Sequence, residues 1–178
     1  AVVRPPVDDF ATVSRAFDLG AEAVIMPMVN TVEDALALVG ASKFPPVGVR
    51  SWGPHRAAML QDRTPAEYLA TANDETVAFA MIETPAALDA LDEMLAVDGL
   101  DGVFIGPGDL SLTLSEGREL APSSEKVQTI AADVAKRARA AGKIAGIFCN
   151  NAEDAKSARR MGFRFISHGI EMSMLLEV

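Results

Sequence analysis

Residues 100–111 read Leu-Asp-Gly-Val-Phe-Ile-Gly-Pro-Gly-Asp-Leu-Ser, an apolar run that halts at Gly106 and is followed closely by an acid, Asp109. Val103, Phe104 and Ile105 are β-branched or aromatic, too few for a helix and bounded by Gly102 and Gly106, so they predict a buried strand. Gly106-Pro107-Gly108 predicts a turn. Gly108 has no side chain to block a ligand approaching the backbone, and the N–H groups of Gly108 and Asp109 can donate to an anion. The pattern occurs once more upstream, where Val77–Ile82 is an apolar run ending in Glu83 and Thr84-Pro85 opens a helix. Two predicted strand ends therefore present one carboxylate each.

The flanking chain repeats the unit. Residues 1–4 predict a strand, and residues 8–19 a helix with Phe10, Val13 and Phe17 at helical spacing and Gly20 as its stop. Residues 23–28 predict the next strand, and Asn30 or Thr31 caps a helix to about Ala41 with Glu33 and Asp34 in its first turn. Residues 43–74 hold Pro45, Pro46, Gly48, Gly53, Pro54 and Pro65; they predict an irregular connection with at most short helical pieces. Its length points to a functional role at a barrel mouth or a subunit contact. Beyond Pro85, Leu88, Leu91, Met94 and Leu95 share a helical face. A helix over 122–141, ended by Gly142, precedes the strand Ile144–Cys149; a helix capped by Asn150 or Asn151 runs to Met161 and Gly162. Residues 163–167 predict the last strand, and 171–178 begin a helix.

The 178 residues, 49% of them hydrophobic, are expected to form a single domain over 1–178 with a sizeable core. A net charge of −9 without a basic cluster argues against nucleic acid or an anionic membrane surface as a partner. A single cysteine, Cys149, has no partner for an internal disulfide, which fits a reducing, cytoplasmic setting. No apolar run approaches the length of a membrane span.

Alternation of buried strands with amphipathic helices implies parallel strands, in an open doubly wound sheet or a (β/α)₈ barrel. Arg4, Glu83 and Asp109 all fall at or just past C-terminal strand ends, where barrel enzymes keep their chemistry. Open sheets share that rule, but no Gly-x-Gly-x-x-Gly follows any predicted strand. A TIM barrel typically takes about 250 residues, so six visible units would make it incomplete.

Four segments carry a family resemblance: Ala23-Val-Ile-Met-Pro-Met-Val-Asn30, Pro45-Pro-Val-Gly-Val-Arg50, Met81-Ile-Glu-Thr84, and Asp98 through Ser111. The chain resembles the HpcH/HpaI-type aldolases, divalent-metal-dependent (class II) pyruvate aldolases of the phosphoenolpyruvate/pyruvate barrel group. The resemblance implies a (β/α)₈ barrel lacking its first two β/α units in this chain. It also implies cleavage or formation of a C–C bond between a pyruvate enolate and an aldehyde, with a 4-hydroxy-2-oxo acid as substrate. By the same resemblance Glu83 and Asp109 are metal ligands, Arg4 is the catalytic, substrate-binding arginine, and Gly108 and Asp109 offer N–H groups to the pyruvate carboxylate. Met81 stands where many members carry a glutamine facing pyruvate. Ser167-His168-Gly169-Ile170-Glu171 departs from the usual Val-Gly-x-Asp. The family's Asp-x-Glu-His segment, whose histidine moves the proton, has no counterpart here, so the base is not named. A homo-oligomer is implied as well, often a trimer of dimers with exchanged C-terminal helices.

The residue types suit that chemistry on their own terms. A hard dication spreads the charge of an enolate, and two carboxylates nearly neutralise it, which suits Mg²⁺, Mn²⁺ or Co²⁺ in an oxygen-rich octahedral site. A forked, permanently charged arginine can hold an enolate oxygen. A Schiff-base aldolase would need a lysine at a strand end, whereas Lys43, Lys126, Lys136 and Lys156 fall in predicted helices or loops and Lys143 precedes its strand. The bland rivals are helix-capping or solvated loop acids and an arginine in a structural ion pair; for Arg50 and Trp52, loop packing or a subunit contact stands equal to a substrate contact. His55 and His168 receive no role. Two other functions stay open at this level: a citrate-lyase-β-like acyl-CoA lyase, and a truncated, non-catalytic barrel that serves as an interaction domain.

Overall fold

Along a pleated strand successive side chains point to opposite faces, and here the two faces are unequal. Ala78, Ala80 and Ile82 join Val24, Met26, Val103, Ile105 and Ile147 in the larger core, whereas Ala23, Ile25, Phe79, Met81 and Phe104 form a separate cluster with Val77, Ile144, Phe148 and Phe165 packed against it. The computed structural model describes residues 1–170 together with Met172 and Leu175. Its six strands, β1 (Val2–Val3), β2 (Ala23–Met26), β3 (Val77–Ile82), β4 (Gly102–Ile105), β5 (Ile144–Cys149) and β6 (Phe165–His168), form one sheet in chain order. Every neighbouring pair is parallel. The helices are α1 (Phe10–Asp18), α2 (Val32–Ser42), α3 (His55–Leu60), α4 (Pro65–Glu75), α5 (Pro85–Asp89), α6 (Leu91–Leu95), α7 (Pro107–Leu114), α8 (Glu125–Ala140) and α9 (Ala152–Met161).

A doubly wound sheet reverses its strand order once, to place helices on both faces. This sheet never reverses. The apolar stripes of α1, α2, α6 and α8 all belong to the larger core, and the smaller cluster is an inner face around which the sheet curls. Phe79 of β3 stacks on Phe165 of β6 with centroids 5.2 Å apart; on a flat sheet three strand spacings of roughly 4.8 Å would hold them ~14 Å apart. The architecture is thus a parallel α/β half-barrel of six strands. No helix among the described residues is long and apolar enough to cross a membrane.

Residues 43–74 depart from expectation. They contain α3 and the 11-residue α4, which Thr64 and Glu67 start with a reciprocal capping box and Pro65 at the first helical position. Proline there ends nothing, because that N–H has no intrahelical partner in any case. The connection also packs at the end of the sheet where strands begin, not at the mouth. Lys43 Nζ donates to the Asn73 carbonyl and pairs with Asp101 just before β4, both at 2.8 Å. Arg50 pairs with Asp18 at the end of α1 and lies over the rings of Phe17 and Phe44. Trp52 packs 5.3 Å from Phe44. Arg50 is thus buried within the connection, whereas Trp52 stays partly exposed beside Phe44.

Smaller differences have local causes. Gly106-Pro107-Gly108 starts a helix instead of a turn, with Gly106 as N-cap and Pro107 inside. The second strand stops at Met26, short of Pro27, which has no N–H for the ladder, and of Met28, which takes φ of 55°. The segment after Pro85 breaks at Ala90 into α5 and α6, and α8 starts at Glu125 because Ser124, not Pro122, caps it. The helix expected over 171–178 lies outside the described residues, Met172 and Leu175 excepted.

Candidate active site

The same alternation that sorts the core places the acid of β3. Val77, Phe79 and Met81 face inward, so the next inward position is residue 83, just past the strand's end. Glu83 is fully buried there. Its Oε1 accepts from the Met28 N–H at 2.8 Å, its backbone carbonyl accepts from Thr113 Oγ1 at 2.7 Å, and its Oε2 is buried with no hydrogen-bond partner. The corresponding inward position on the neighbouring strand is Gly106. A Cβ at Gly106 would collide with Glu83 Oε2 and lie 2.8 Å from Met81 Cε, so the missing side chain is what makes room for the carboxylate.

Asp109 comes from the first turn of α7 and is exposed. Burial raises the Glu83 carboxyl above its ordinary range, the Met28 N–H opposes that, the negative charge of Asp109 raises it further, and the positive charge of Arg4 lowers it. Asp109 and Arg4 thus both act electrostatically on Glu83. Arg4 is exposed, just past the end of β1. Met81 lines the floor with a thioether, an apolar group where an amide would offer a polar contact. Gly108 stands in open space, since a Cβ on it would meet nothing nearer than Leu120 Cδ1 at 3.9 Å. It and Asp109 lie in the first turn of α7, where backbone N–H groups have no intrahelical acceptor and favour negative charge.

An orphaned, buried carboxylate oxygen beside a second carboxylate fits a hard cation. Among the described residues no group of three or more His, Cys, Asp or Glu could hold a metal, and the donors at this end are the carboxylates of Glu83 and Asp109. The two lysines next to strands lie away from this end: Lys43 is buried at the opposite end in its pair with Asp101, and Lys143 donates to the carbonyls of Val97 and Leu100 ahead of β4.

Sequence reasoning passed over Met28, Asn30, Gly106 and Thr113. Asn30 Nδ2 donates to the Met28 carbonyl at 2.9 Å, and Thr84 Oγ1 donates to Asn30 Oδ1. Gly106 showed only as a strand stop, although its alternation with Phe104 already put it on the inner face.

Comparison with known proteins gives a consistent picture. The sequence profile of the family described as HpcH/HpaI aldolase/citrate lyase matches residues 1–177. A hydroxypyruvate/pyruvate aldolase of Rhizorhabdus wittichii is 42% identical over 97% of this chain and 68% of its own length. A 4-hydroxy-2-oxo-heptane-1,7-dioate aldolase of Klebsiella pneumoniae is 36% identical over 98% of this chain and 65% of its own. The crystal structure of an HpcH/HpaI aldolase from Desulfitobacterium hafniense superposes with a TM-score of 0.86 at 31% identity, covering 99% of this chain and 68% of that one. The chain spans about two thirds of the length of each of these proteins.

Proposed function

The chain belongs to the HpcH/HpaI aldolase/citrate lyase family, and from that premise we propose that it is a divalent-metal-dependent pyruvate aldolase acting on a 4-hydroxy-2-oxo acid. The observation that carries the reading is the buried Glu83 Oε2, left without a partner in the space that Gly106 vacates, with the Asp109 charge acting on it.

Glu83 and Asp109 would hold Mg²⁺, Mn²⁺ or Co²⁺, which when bound withdraws electron density from the carboxylate and keto oxygens of the 2-oxo acid and so stabilises the enolate left by C–C cleavage. The N–H groups of Gly108 and Asp109 bind the substrate carboxylate. Arg4 reaches the keto oxygen and donates to it as negative charge grows there. Met81 excludes water from the floor. The general base is not assigned. The acyl-CoA lyase alternative is not favoured, because the relatives named above act as pyruvate and hydroxy-oxo-acid aldolases by name. We assign residues 1–178 to one barrel domain contributing six of eight β/α units, within a homo-oligomer.

The test uses the complete protein and a 4-hydroxy-2-oxo acid. Chelation should abolish retro-aldol cleavage and Mn²⁺, Co²⁺ or Mg²⁺ should restore it, while Glu83→Gln and Asp109→Asn should weaken metal binding and lower the rate by ~10² or more. Undiminished metal binding in both variants would mean that other acids hold the ion. A folded wild type that binds no metal would leave the non-catalytic interaction domain as the better reading.

A further inference from the structure

Glu83 is held by a closed circuit of contacts that begins in the loop after β2. Met28 adopts φ of 55°, a left-handed conformation that crowds a residue bearing a Cβ. Both of its flanking peptides are tied down: the N–H donates to Glu83 Oε1 at 2.8 Å and the carbonyl accepts from Asn30 Nδ2 at 2.9 Å. Asn30 Oδ1 in turn accepts from Thr84 Oγ1, and Thr84 follows Glu83 in the chain. The polarity of the circuit is fixed. A carbonyl can only accept, so the Asn30 amide nitrogen must face Met28 and its oxygen must face Thr84. Thr84 Oγ1 already accepts from the Ala87 N–H at 3.0 Å, which leaves its own proton for Asn30. The Asn30 N–H donates to Asp34 Oδ2 at 3.0 Å and anchors the circuit to the start of α2.

A backbone strained in this way persists only where its surroundings over-determine it, and here the product of the constraint is specific. One oxygen of Glu83 is committed to a peptide N–H, and the other is left bare in the space beside Gly106. We propose that Asn30 and Thr84 are positioning residues that, through Met28, restrict Glu83 to a single donor oxygen and thereby favour a six-coordinate ion such as Mn²⁺ over Ca²⁺. Ca²⁺ takes six to eight oxygens and draws on two-oxygen carboxylate binding, whereas Mg²⁺-like ions accept fewer, single-oxygen carboxylates and keep waters. The proposal rests on Glu83 being a cation ligand. A purely structural tie between two loops would affect the melting of the metal-free protein and leave ion affinity and preference alone.

The experiment titrates Mn²⁺, followed by the paramagnetic resonance of the free ion, with Ca²⁺ as competitor, against the complete protein and three variants, Asn30→Ala, Thr84→Val and Thr84→Ser. Thermal melts in chelator run alongside. Asn30→Ala and Thr84→Val should weaken Mn²⁺ binding ten- to hundred-fold, the loss typical when a partner of a ligating carboxylate is removed, and should narrow the Mn²⁺/Ca²⁺ ratio. Thr84→Ser, which keeps the hydroxyl, should bind Mn²⁺ like the wild type. Mn²⁺ affinity within twofold of wild type in folded Asn30→Ala overturns the proposal. Where Asn30→Ala does not fold, the Thr84 pair decides, and equal Mn²⁺ affinity in Thr84→Val and Thr84→Ser overturns it. Wild type that fails to bind Mn²⁺ removes the metal site itself, whereas wild type that binds Mn²⁺ alongside indifferent variants removes only the circuit's role.

Discussion

The ring of Phe79 lies 5.2 Å from that of Phe165 at an interplanar angle of 22°, although β4 and β5 stand between their strands. The contact is possible because the inward positions between them are Gly102 and Gly146. A Cβ on Gly146 would lie 2.6 Å from Phe104 and 3.1 Å from Phe165, both side chains, whereas one on Gly102 would collide with the Ile144 carbonyl oxygen and lie 2.8 Å from Phe79. Rings can shift and a sheet backbone cannot readily do so. Gly146→Ala should therefore cost about 1–3 kcal/mol as overpacking does, and Gly102→Ala should cost more. Urea midpoints of the two variants check the order.

Two glycines two residues apart should respond in opposite ways. Gly106→Ala drives a methyl group into Glu83 Oε2 and Met81 Cε, while Gly108→Ala finds open space up to Leu120. Gly106→Ala should lose metal affinity by roughly tenfold or more, since the carboxylate must move. Gly108→Ala should bind metal and melt like the wild type. Calorimetric metal titrations paired with thermal melts measure both.

Arg4→Lys keeps the charge near Glu83 but not the planar fork. It should lower kcat and kcat/KM together by roughly tenfold or more, as expected for a contact made in the transition state. Wild-type rates for Arg4→Lys and Arg4→Ala alike would make Arg4 a structural residue.

Lys43 is a buried cation at the far end, 1% exposed and paired with Asp101 at 2.8 Å. Removing one member of such a pair strands the other, at a cost of about 3–5 kcal/mol when the partner is fully buried; Asp101 keeps some water contact, so Lys43→Met should fall near ~3 kcal/mol. Chemical denaturation reads this directly. Borohydride with pyruvate should leave the wild-type enzyme active, because this lysine is committed to its pair. Inactivation under those conditions would contradict the metal mechanism.

Cys149 is buried on the outer face of β5, and that burial, helped by the Asp154 charge, pushes its thiol up to about 11. At pH 8 only ~10⁻³ of it would be the nucleophilic thiolate. Iodoacetamide should spare the native protein at pH 8 and label it fully in urea, with mass spectrometry as the readout. The sign for stability follows from linkage. The thiol of the unfolded chain ionises near 9.0 and the folded one near 11, so the contribution is full below about 9 and is lost as pH rises toward 11.

β3 and β4 were legible because each is an apolar run, closed by Glu83 in one case and by Gly106 in the other, with an acid at or just past the stop. Position near a strand end made Glu83 and Asp109 candidates, and the family resemblance supplied the role expected of them. The Met28 contact to Glu83 could not, since it depends on one positive φ and on the register between β2 and β3, neither of which has a local signature. α4 is a different case. Thr64-Pro-Ala-Glu67 is a helix start in plain view, and the surrounding prolines and glycines drew attention away from it. Nor does composition reveal that the connection packs at the end of the sheet away from the acids, which follows only from where Asp18, Asp101 and Thr76 lie.

Every strand pairs with the strand before it in the chain, so the order of assembly can be inferred from the lengths of the loops being closed. Pairing β3 with β4 or β5 with β6 closes short connections, but β2 meets β3 only across residues 27–76, and non-local pairing of that kind is what slows folding. The expected nucleus is β3 with β4 and the helices between them; fractional φ-values there and values near zero at the β2–β3 pairing would be its kinetic signature. On the ribosome the direction is reversed, because β1 and β2 emerge before β3. The apolar strand β2 must then remain without its β3 neighbour while the whole 27–76 connection is synthesised, so nascent-chain protection belongs to the interval before residue 77 appears.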